Sequence, residues 1–283
     1  MTSINHLCLT SVLMAALGVL GGPRPAAALT PSGELAAHRA VYELKLASTR
    51  GKGGAVAARG RILYDFSGSV CEGYTLEFRQ VSELDNGEGK ITLSDLRSTT
   101  WEDGAATAYR FTSQNYLNQQ LIDAVDGRAE RRPNAIRVTL SKPTDKTLDL
   151  ELAIVFPTEH VRRILDAARD GKSILEFPIY DGSESGEKVY NTLTVIGREI
   201  GPDRAPTDAA RDQQALAGMK RWPVTVSYFE KSAKGSGEQI PVYSITFELY
   251  ENGISRSLLL DYNNFTISGE LKTLEIKDTK PCP

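Results

Sequence analysis

A two-residue alternation of apolar and polar side chains runs through most of this chain and restricts its fold more than any other feature. In residues 245–250, the apolar Ile245, Phe247 and Leu249 occupy every second position, as expected of a strand that buries one face. The same period predicts fourteen strands, at about residues 38–48, 58–66, 73–84, 89–101, 107–115, 116–125, 134–140, 146–153, 173–180, 187–197, 222–231, 239–250, 255–262 and 265–277. The chain is therefore predicted to be mainly β.

Turn-forming dipeptides separate several of these strands. Asn86-Gly87, Asp103-Gly104 and Asn252-Gly253 lie between predicted neighbours, and Asn-Gly and Asp-Gly tolerate the positive φ of tight hairpin turns. Since short hairpins join antiparallel strands, we expect one antiparallel meander. We assign residues 29–283 to a single β domain.

Two helices are predicted within this series. The first covers 158–169, with Thr158 and Gly171 as its start and stop signals. Its apolar stripe includes Val161, Ile164 and Leu165, which we expect a curved sheet to cover, out of reach of any bound ligand. The second helix, at 207–219, is alanine-rich and is expected on the surface.

Residues 1–28 have the pattern of a secretory signal peptide. The apolar run from Leu7 to Leu20 is too short to span a bilayer as a stable helix, and the alanines at 26–28 suit cleavage after Ala28. An uncleaved anchor is the alternative, because no Lys or Arg precedes the apolar run. We therefore expect a periplasmic protein, and we expect a monomer.

The mature chain would be mildly acidic. Cleavage removes Arg24 and no acidic residue, so the formal net charge changes from −3 to −4. This charge argues against nucleic acid as the main partner. No segment after the leader is apolar enough to be a transmembrane helix.

Cys71 and Cys282 are the two cysteines left once the leader, which holds Cys8, has been removed. A single pair in an exported protein is most simply a disulfide. The bond would close a loop on the order of 200 residues, for which the chain-entropy model gives about 5 kcal/mol. The alternative, a Cys71 nucleophile with His38 or His160 as its base, is disfavoured because an exported thiol with one partner should oxidise.

The remaining motifs have simpler structural interpretations. Residues 181–186 resemble half a calcium loop, but Thr192 stands where a bidentate Glu is needed, so we predict a hairpin loop. Residues 170–173 resemble the end of a phosphate loop, yet a helix precedes them, and we predict a helix stop. His160 is expected to be solvated or capping, and the basic cluster Arg128, Arg131 and Arg132 to be a solvated loop, although it could meet an acidic partner or phosphate. The sequence predicts no catalytic residues, no metal site and no cofactor.

Several longer segments occur together in one colinear order across the chain after the leader. They are Cys71-Glu72-Gly73-Tyr74, residues 99–104 (TTWEDG), 156–160 (FPTEH), 181–183 with 186–193 (DGS and GEKVYNTL), 221–224 (RWPV) and 239–243 (QIPVY). With a cysteine near the C-terminus, they resemble the cell envelope integrity protein B (EipB) family of alphaproteobacterial periplasmic proteins.

The resemblance implies a β-spiral, in which a long antiparallel sheet curls into an oval, half-barrel-like cup around a packed helix. It also implies an internal disulfide, here Cys71–Cys282, and a role in envelope upkeep under stress.

Three functions follow as hypotheses. The first is a non-enzymatic periplasmic protein that supports envelope integrity by binding a partner, for which the family's setting suggests a repeat-type protein, or an envelope component. The second is a carrier that holds a lipid-like ligand or a lipoprotein on an apolar concave sheet. The third is an envelope hydrolase. The sequence assigns no ligand-binding residue.

Overall fold

A computed structural model describes residues 34–50, 55–231, 239–279 and 282, so the predicted leader lies outside the described residues. Each of the fourteen predicted strands overlaps an observed one. The strands are β1 (His38–Thr49), β2 (Ala57–Ser69), β3 (Gly73–Asp85), β4 (Ile91–Glu102), β5 (Ala108–Leu117), β6 (Gln120–Arg131), β7 (Ile136–Lys142), β8 (Lys146–Leu150), β9 (Ile174–Ile179), β10 (Tyr190–Ile196), β11 (Arg221–Glu230), β12 (Tyr243–Tyr250), β13 (Ser255–Asp261) and β14 (Phe265–Ile276). Helix α1 (Pro157–Arg169) lies between β8 and β9.

The strands form one sheet in the order β8-β7-β6-β5-β4-β3-β2-β1-β14-β13-β12-β11-β10-β9. Every neighbouring pair is antiparallel. The chain therefore builds one half of the sheet from β1 outwards, passes through α1, and returns from the other edge until β14 pairs with β1. This arrangement places the first and last strands at the centre and α1 between the two ends.

The sheet curls until its two ends approach each other without closing into a barrel. At the seam, Val155 forms a parallel bridge with Ile179 of β9. Two ion pairs, Lys146–Glu187 and Lys231–Glu151, also cross from the β8 side to the β10–β11 side. The predicted fold class, a long antiparallel sheet curled into a β-spiral around a helix, is confirmed.

Two local predictions from the sequence are wrong. Thr158 does not cap α1: the N-cap is Phe156, and Pro157 is the first helical residue, because Pro is favoured in the first turn of a helix. The turn between β5 and β6 is Asn118-Gln119, both with positive φ, rather than the junction of Asn115 and Tyr116. Asn118 accepts this backbone readily, and its side chain and backbone both hydrogen-bond to Leu93 of β4.

The predicted surface helix at 207–219 is also wrong. The segment contains two short 3₁₀ turns, Ala209–Asp212 and Gln214–Leu216. Tertiary contacts hold it against the sheet: the Asp208 carboxylate pairs with Arg256 at 2.9 Å, Gln213 donates to the Leu274 carbonyl, and Leu216 is buried. These contacts require an irregular backbone, so they override the helix propensity of the alanines.

The two predicted partner cysteines are joined in the structure. Cys71 lies in the β2–β3 turn and Cys282 follows β14, with their Cα atoms 5.8 Å apart across a sequence separation of 211. Both residues are exposed. The bond ties the tail after β14 to the β2–β3 turn, on the far side of β1.

Candidate functional site

The candidate site is a cavity of about 310 Å³ between α1 and the inner face of the curled sheet. Its walls come from both halves of the sheet, because strands β1 to β3 and β11 to β13 all contribute side chains. Most of those side chains are aliphatic or aromatic, among them Tyr42, Ile62, Tyr64, Phe78, Val226, Tyr228, Tyr243, Ile245, Phe247 and Leu260. The cavity therefore offers an apolar environment with a few phenolic hydroxyls.

A second, more open cleft of about 510 Å³ lies over β1 to β3. Its rim is charged, and several of these charges are already paired: Arg59 contacts Glu83 at 2.5 Å, and Lys45 contacts Glu43 at 3.6 Å. Exposed pairs of this kind are ordinary surface features. The interior cavity is therefore the better candidate.

Helix α1 forms one wall of the cavity. Val161 and Ile164 line it, which corrects the expectation that the sheet would put them out of reach of a ligand. Leu165 instead belongs to a cluster that packs against the sheet, with Trp222 and Val224. Because α1 lies inside the curl, its apolar stripe is divided between the sheet and the open space.

His160 also lines the cavity, so the prediction of a solvated or capping histidine is wrong. Its side chain is 5% exposed, packs edge-on against Phe177, and has Nε2 3.4 Å from the Thr194 hydroxyl. Burial, with a smaller contribution from the nearby Arg163, lowers the pKa of His160 to about 4. The imidazole is therefore neutral at pH 7.

The N-terminus of α1 is capped by a side chain from strand β4. Its N-cap position is Phe156, whose side chain has no acceptor, and the Glu102 carboxylate at the end of β4 supplies both oxygens instead. Oε2 accepts from the Thr158 amide at 2.7 Å and Oε1 from the Glu159 amide at 2.8 Å. An anionic cap also suits the positive end of the helix dipole. Glu102 therefore fixes α1 to the sheet.

Arg131 holds the same end of α1 from β6. Its guanidinium pairs with Glu159 at 2.8 Å. It also donates to the backbone carbonyls of Ala106, Leu152 and Ile154. The prediction of a solvated basic loop is therefore wrong for Arg131, whose guanidinium holds α1 in place. Arg128 and Arg132 are exposed.

Burial raises the pKa of Glu102 to about 7, while the two helix amides oppose this shift. Between its ordinary value of 4.5 and about 7, the folded state therefore binds more protons here than the unfolded state. The contribution of Glu102 to the free energy of unfolding should fall as pH rises through that window.

This pH dependence can be measured by urea unfolding of the wild type and Glu102→Gln between about pH 5 and about pH 8. The stability of the wild type relative to the variant should decrease with rising pH, since the other titrating groups are common to both proteins. A difference that stays constant across this range would contradict the assignment.

Asp181 follows β9 and lines the cavity beside Tyr228. It is half-buried, and its Oδ1 accepts from the Ser183 amide at 2.9 Å. Burial raises the pKa of this carboxyl. The loop that it begins, residues 180–189, joins the antiparallel strands β9 and β10, so the calcium-like motif is part of a hairpin.

The other sequence candidates lie apart from the cavity. Cys71 is bonded to Cys282, and His38, at the start of β1, has Nδ1 2.7 Å from the Ala36 carbonyl. Gly171, in the phosphate-loop-like segment, ends α1 with φ of 71°. Among the described residues, no group of three or more His, Cys, Asp and Glu side chains could hold a metal ion.

The sequence analysis missed Glu102, Arg131 and Asp181 as residues that shape the site. One local signal was present for Glu102: a helix that begins Phe-Pro has no capping side chain of its own and needs an acceptor from elsewhere. Nothing in the local sequence separates Arg131 or Asp181 from the ordinary charged residues of turns.

Comparison with known proteins gives a consistent result. The chain matches the family described as EipB-like over residues 30–278. It is 35% identical over 254 residues to "Cell envelope integrity protein EipB" of Brucella abortus (strain 2308), covering 90% of this chain and 89% of the relative.

The structure is similar to the crystal structure of a beta-barrel-like protein of domain of unknown function DUF1849 from Brucella abortus. The TM-score is 0.79 and the sequence identity 34%, over 86% of this chain and 99% of the other. Within the described ranges, no helix is long and apolar enough to cross a membrane.

Proposed function

Because the chain belongs to the EipB-like family, we propose that it is a non-enzymatic periplasmic protein that maintains the integrity of the cell envelope. The observation that carries this proposal is the 35% identity, over 90% of the chain, to a protein named for cell envelope integrity. We infer that it acts by binding a partner protein or an envelope component. The apolar cavity between α1 and the sheet supports such binding.

Two features support export to the periplasm. The pattern of residues 1–28 is that of a secretory signal, and the pair Cys71–Cys282 suits an oxidising compartment. Fractionation of cells that express the full chain, with alkylation of free thiols, tests both features. Cytoplasmic material that keeps the leader and has three reactive thiols, Cys8 included, would exclude export.

A carrier of lipid-like ligands or lipoproteins is the second candidate. It is favoured by the composition of the cavity wall, where aliphatic and aromatic side chains predominate. Organic extraction of the purified protein followed by mass spectrometry tests it directly. A carrier should release stoichiometric acyl material, and a binder of protein partners should release none.

The role of the cavity can be tested in the source bacterium with its own gene deleted. We expect the deletion to lower survival on detergent plates, and the wild-type chain to restore it. Ile245→Trp should fail to restore survival, because Ile245 lines the cavity and an indole would fill much of it.

The matched control for this substitution is Ile174→Trp. Ile174 is 62% exposed on β9, so the same change leaves the cavity empty and should restore survival. Immunoblotting and melting temperatures would show that both variants accumulate and fold. A deletion strain that survives detergent as well as the wild type would overturn the proposed function. Full rescue by a folded Ile245→Trp would show that the cavity is not the binding site.

A further inference from the structure

The cavity carries one charge, and that charge is negative. Asp181 is the acidic residue that lines it, and no Lys or Arg occurs among the described residues that form its wall. His160, which also lines the cavity, is neutral at pH 7 because burial lowers its pKa. The interior is therefore an apolar space bordered by one carboxyl group, with no positively charged side chain at pH 7 among the described residues of its wall.

A carboxylate in such a place is costly without a partner. Desolvation of an ionised group disfavours it by several kcal/mol unless a charge or several donors compensate. The described contacts to the Asp181 carboxylate come from its own turn, where the Ser183 amide donates at 2.9 Å and the Ser183 hydroxyl and the Asp181 amide also contribute, and none of them carries a positive charge. Asp181 is only half-buried, and it borders the cavity. The side chain is placed to accept from a molecule inside.

Aromatic rings stand beside this carboxylate at angles to one another. Tyr228 lines the cavity with Asp181, and burial, together with the nearby Asp181, raises the pKa of its hydroxyl. The Tyr228 and Tyr243 rings are 5.8 Å apart and tilted by 40°. Both rings line the cavity, and the face of a Tyr ring attracts an organic cation.

We propose that this cavity binds an organic cation, an amine or quaternary ammonium group on an apolar body, with the ammonium between Asp181 and the face of Tyr228. The apolar body would lie along α1, against Val161 and Ile164. This inference rests on the proposed function, since it names the chemistry of the component that the cavity would hold.

Other ligand classes fit the cavity less well. A neutral acyl chain would remove water from the Asp181 carboxyl and supply no donor in its place. An anionic head group would be repelled by the same carboxylate. A cationic head compensates the charge and contacts the negative faces of the rings.

Isothermal titration with three probes of equal chain length tests this inference. Hexyltrimethylammonium, hexyl sulfate and 1-hexanol are titrated into the mature protein at about pH 8, because the raised pKa of Asp181 calls for a pH well above the ordinary range of an aspartate. The ammonium probe should bind at least about tenfold more tightly than either of the others. Equal affinity for hexanol and the ammonium probe, or binding of none of the three, would overturn the inference.

Variants locate the head group. Asp181→Asn and Tyr228→Leu should each weaken binding of the ammonium probe by about tenfold while leaving binding of hexanol unchanged. Asp149→Asn is the matched control, because its carboxylate on β8 is 49% exposed, paired with Arg137 and outside the cavity wall. An Asp181→Asn protein that binds the ammonium probe as well as the control would overturn the inference. If Asp181→Asn does not fold, the probe comparison on the wild type still decides.

Failure of this inference is distinguishable from failure of the proposed function. Selectivity is measured on purified protein, whereas the envelope role is measured as detergent survival of the deletion strain. If the three probes bind equally and the deletion strain still shows a clear phenotype, only the inferred preference for a cation is rejected. If the ammonium probe binds selectively and the deletion strain survives detergent as well as the wild type, only the proposed envelope role is rejected.

Discussion

A Cys71→Ser variant should melt about 5–15 °C below the wild type under oxidising conditions. The bond spans 211 residues, and releasing so long a loop returns conformational entropy to the unfolded chain. The chain-entropy model gives on the order of 5 kcal/mol, and native disulfides typically contribute about 2–5 kcal/mol. For a domain of this size, about 1 kcal/mol corresponds to roughly 2–4 °C. Calorimetry of the two proteins without reductant measures the shift.

Two controls separate loop entropy from side-chain effects. The double variant Cys71→Ser with Cys282→Ser should melt with the single variant. The wild type in excess dithiothreitol should approach both, since the two cysteines are exposed and reductant can reach the bond. A single variant that melts with the oxidised wild type would contradict this prediction. Two alkylatable thiols in unreduced, denatured exported protein would remove its premise.

A Glu102→Ala variant should lose about 2–4 kcal/mol of stability. The change removes the acceptor of the Thr158 and Glu159 amides, in a place where Glu102 itself is 1% exposed. Loss of a helix cap costs about 0.5–2 kcal/mol, and a buried donor left without a partner costs about 1–3 kcal/mol. Urea unfolding measures the change in the free energy of unfolding.

The matched control for Glu102→Ala is Glu77→Ala. Glu77 is an exposed glutamate on the adjacent strand β3, and its substitution should change stability by about 0.5 kcal/mol or less. Hydrogen exchange adds a local readout, because the amides of Thr158 and Glu159 should exchange faster in Glu102→Ala than in the wild type. Equal stability of the two variants would show that Glu102 does not hold α1.

The strands were predicted correctly because the alternation and turn residues that indicate them are local in sequence. Alternation along β12 places Ile245 and Phe247 on the cavity wall, and hairpins connect strands that are neighbours in sequence. The errors occur where a distant contact decides the backbone. Residues 207–219 have the composition of a helix, yet the Asp208–Arg256 pair fixes an irregular path across the sheet.

The site was predicted far less completely than the fold. The stripe of α1 is visible in the sequence, but its division between sheet and cavity depends on α1 lying inside the curl. His160 shows the same limit, because its low pKa follows from the surrounding wall rather than from its neighbours in the chain. Periodicity shows that a face is apolar, and only the fold shows what faces it.

The sequence by itself determined the mainly β class, the number of strands, the helix that interrupts them and the cysteine pair. Each of these follows from alternation, turn residues or counting, which involve interactions along a few residues of chain. Tertiary structure alone decided that β14 returns to pair with β1, that Glu102 caps a helix 56 positions away, and that Asp181 borders an apolar cavity. Those features depend on which surfaces meet when the sheet curls, and a contact between distant segments leaves no periodic trace in either one.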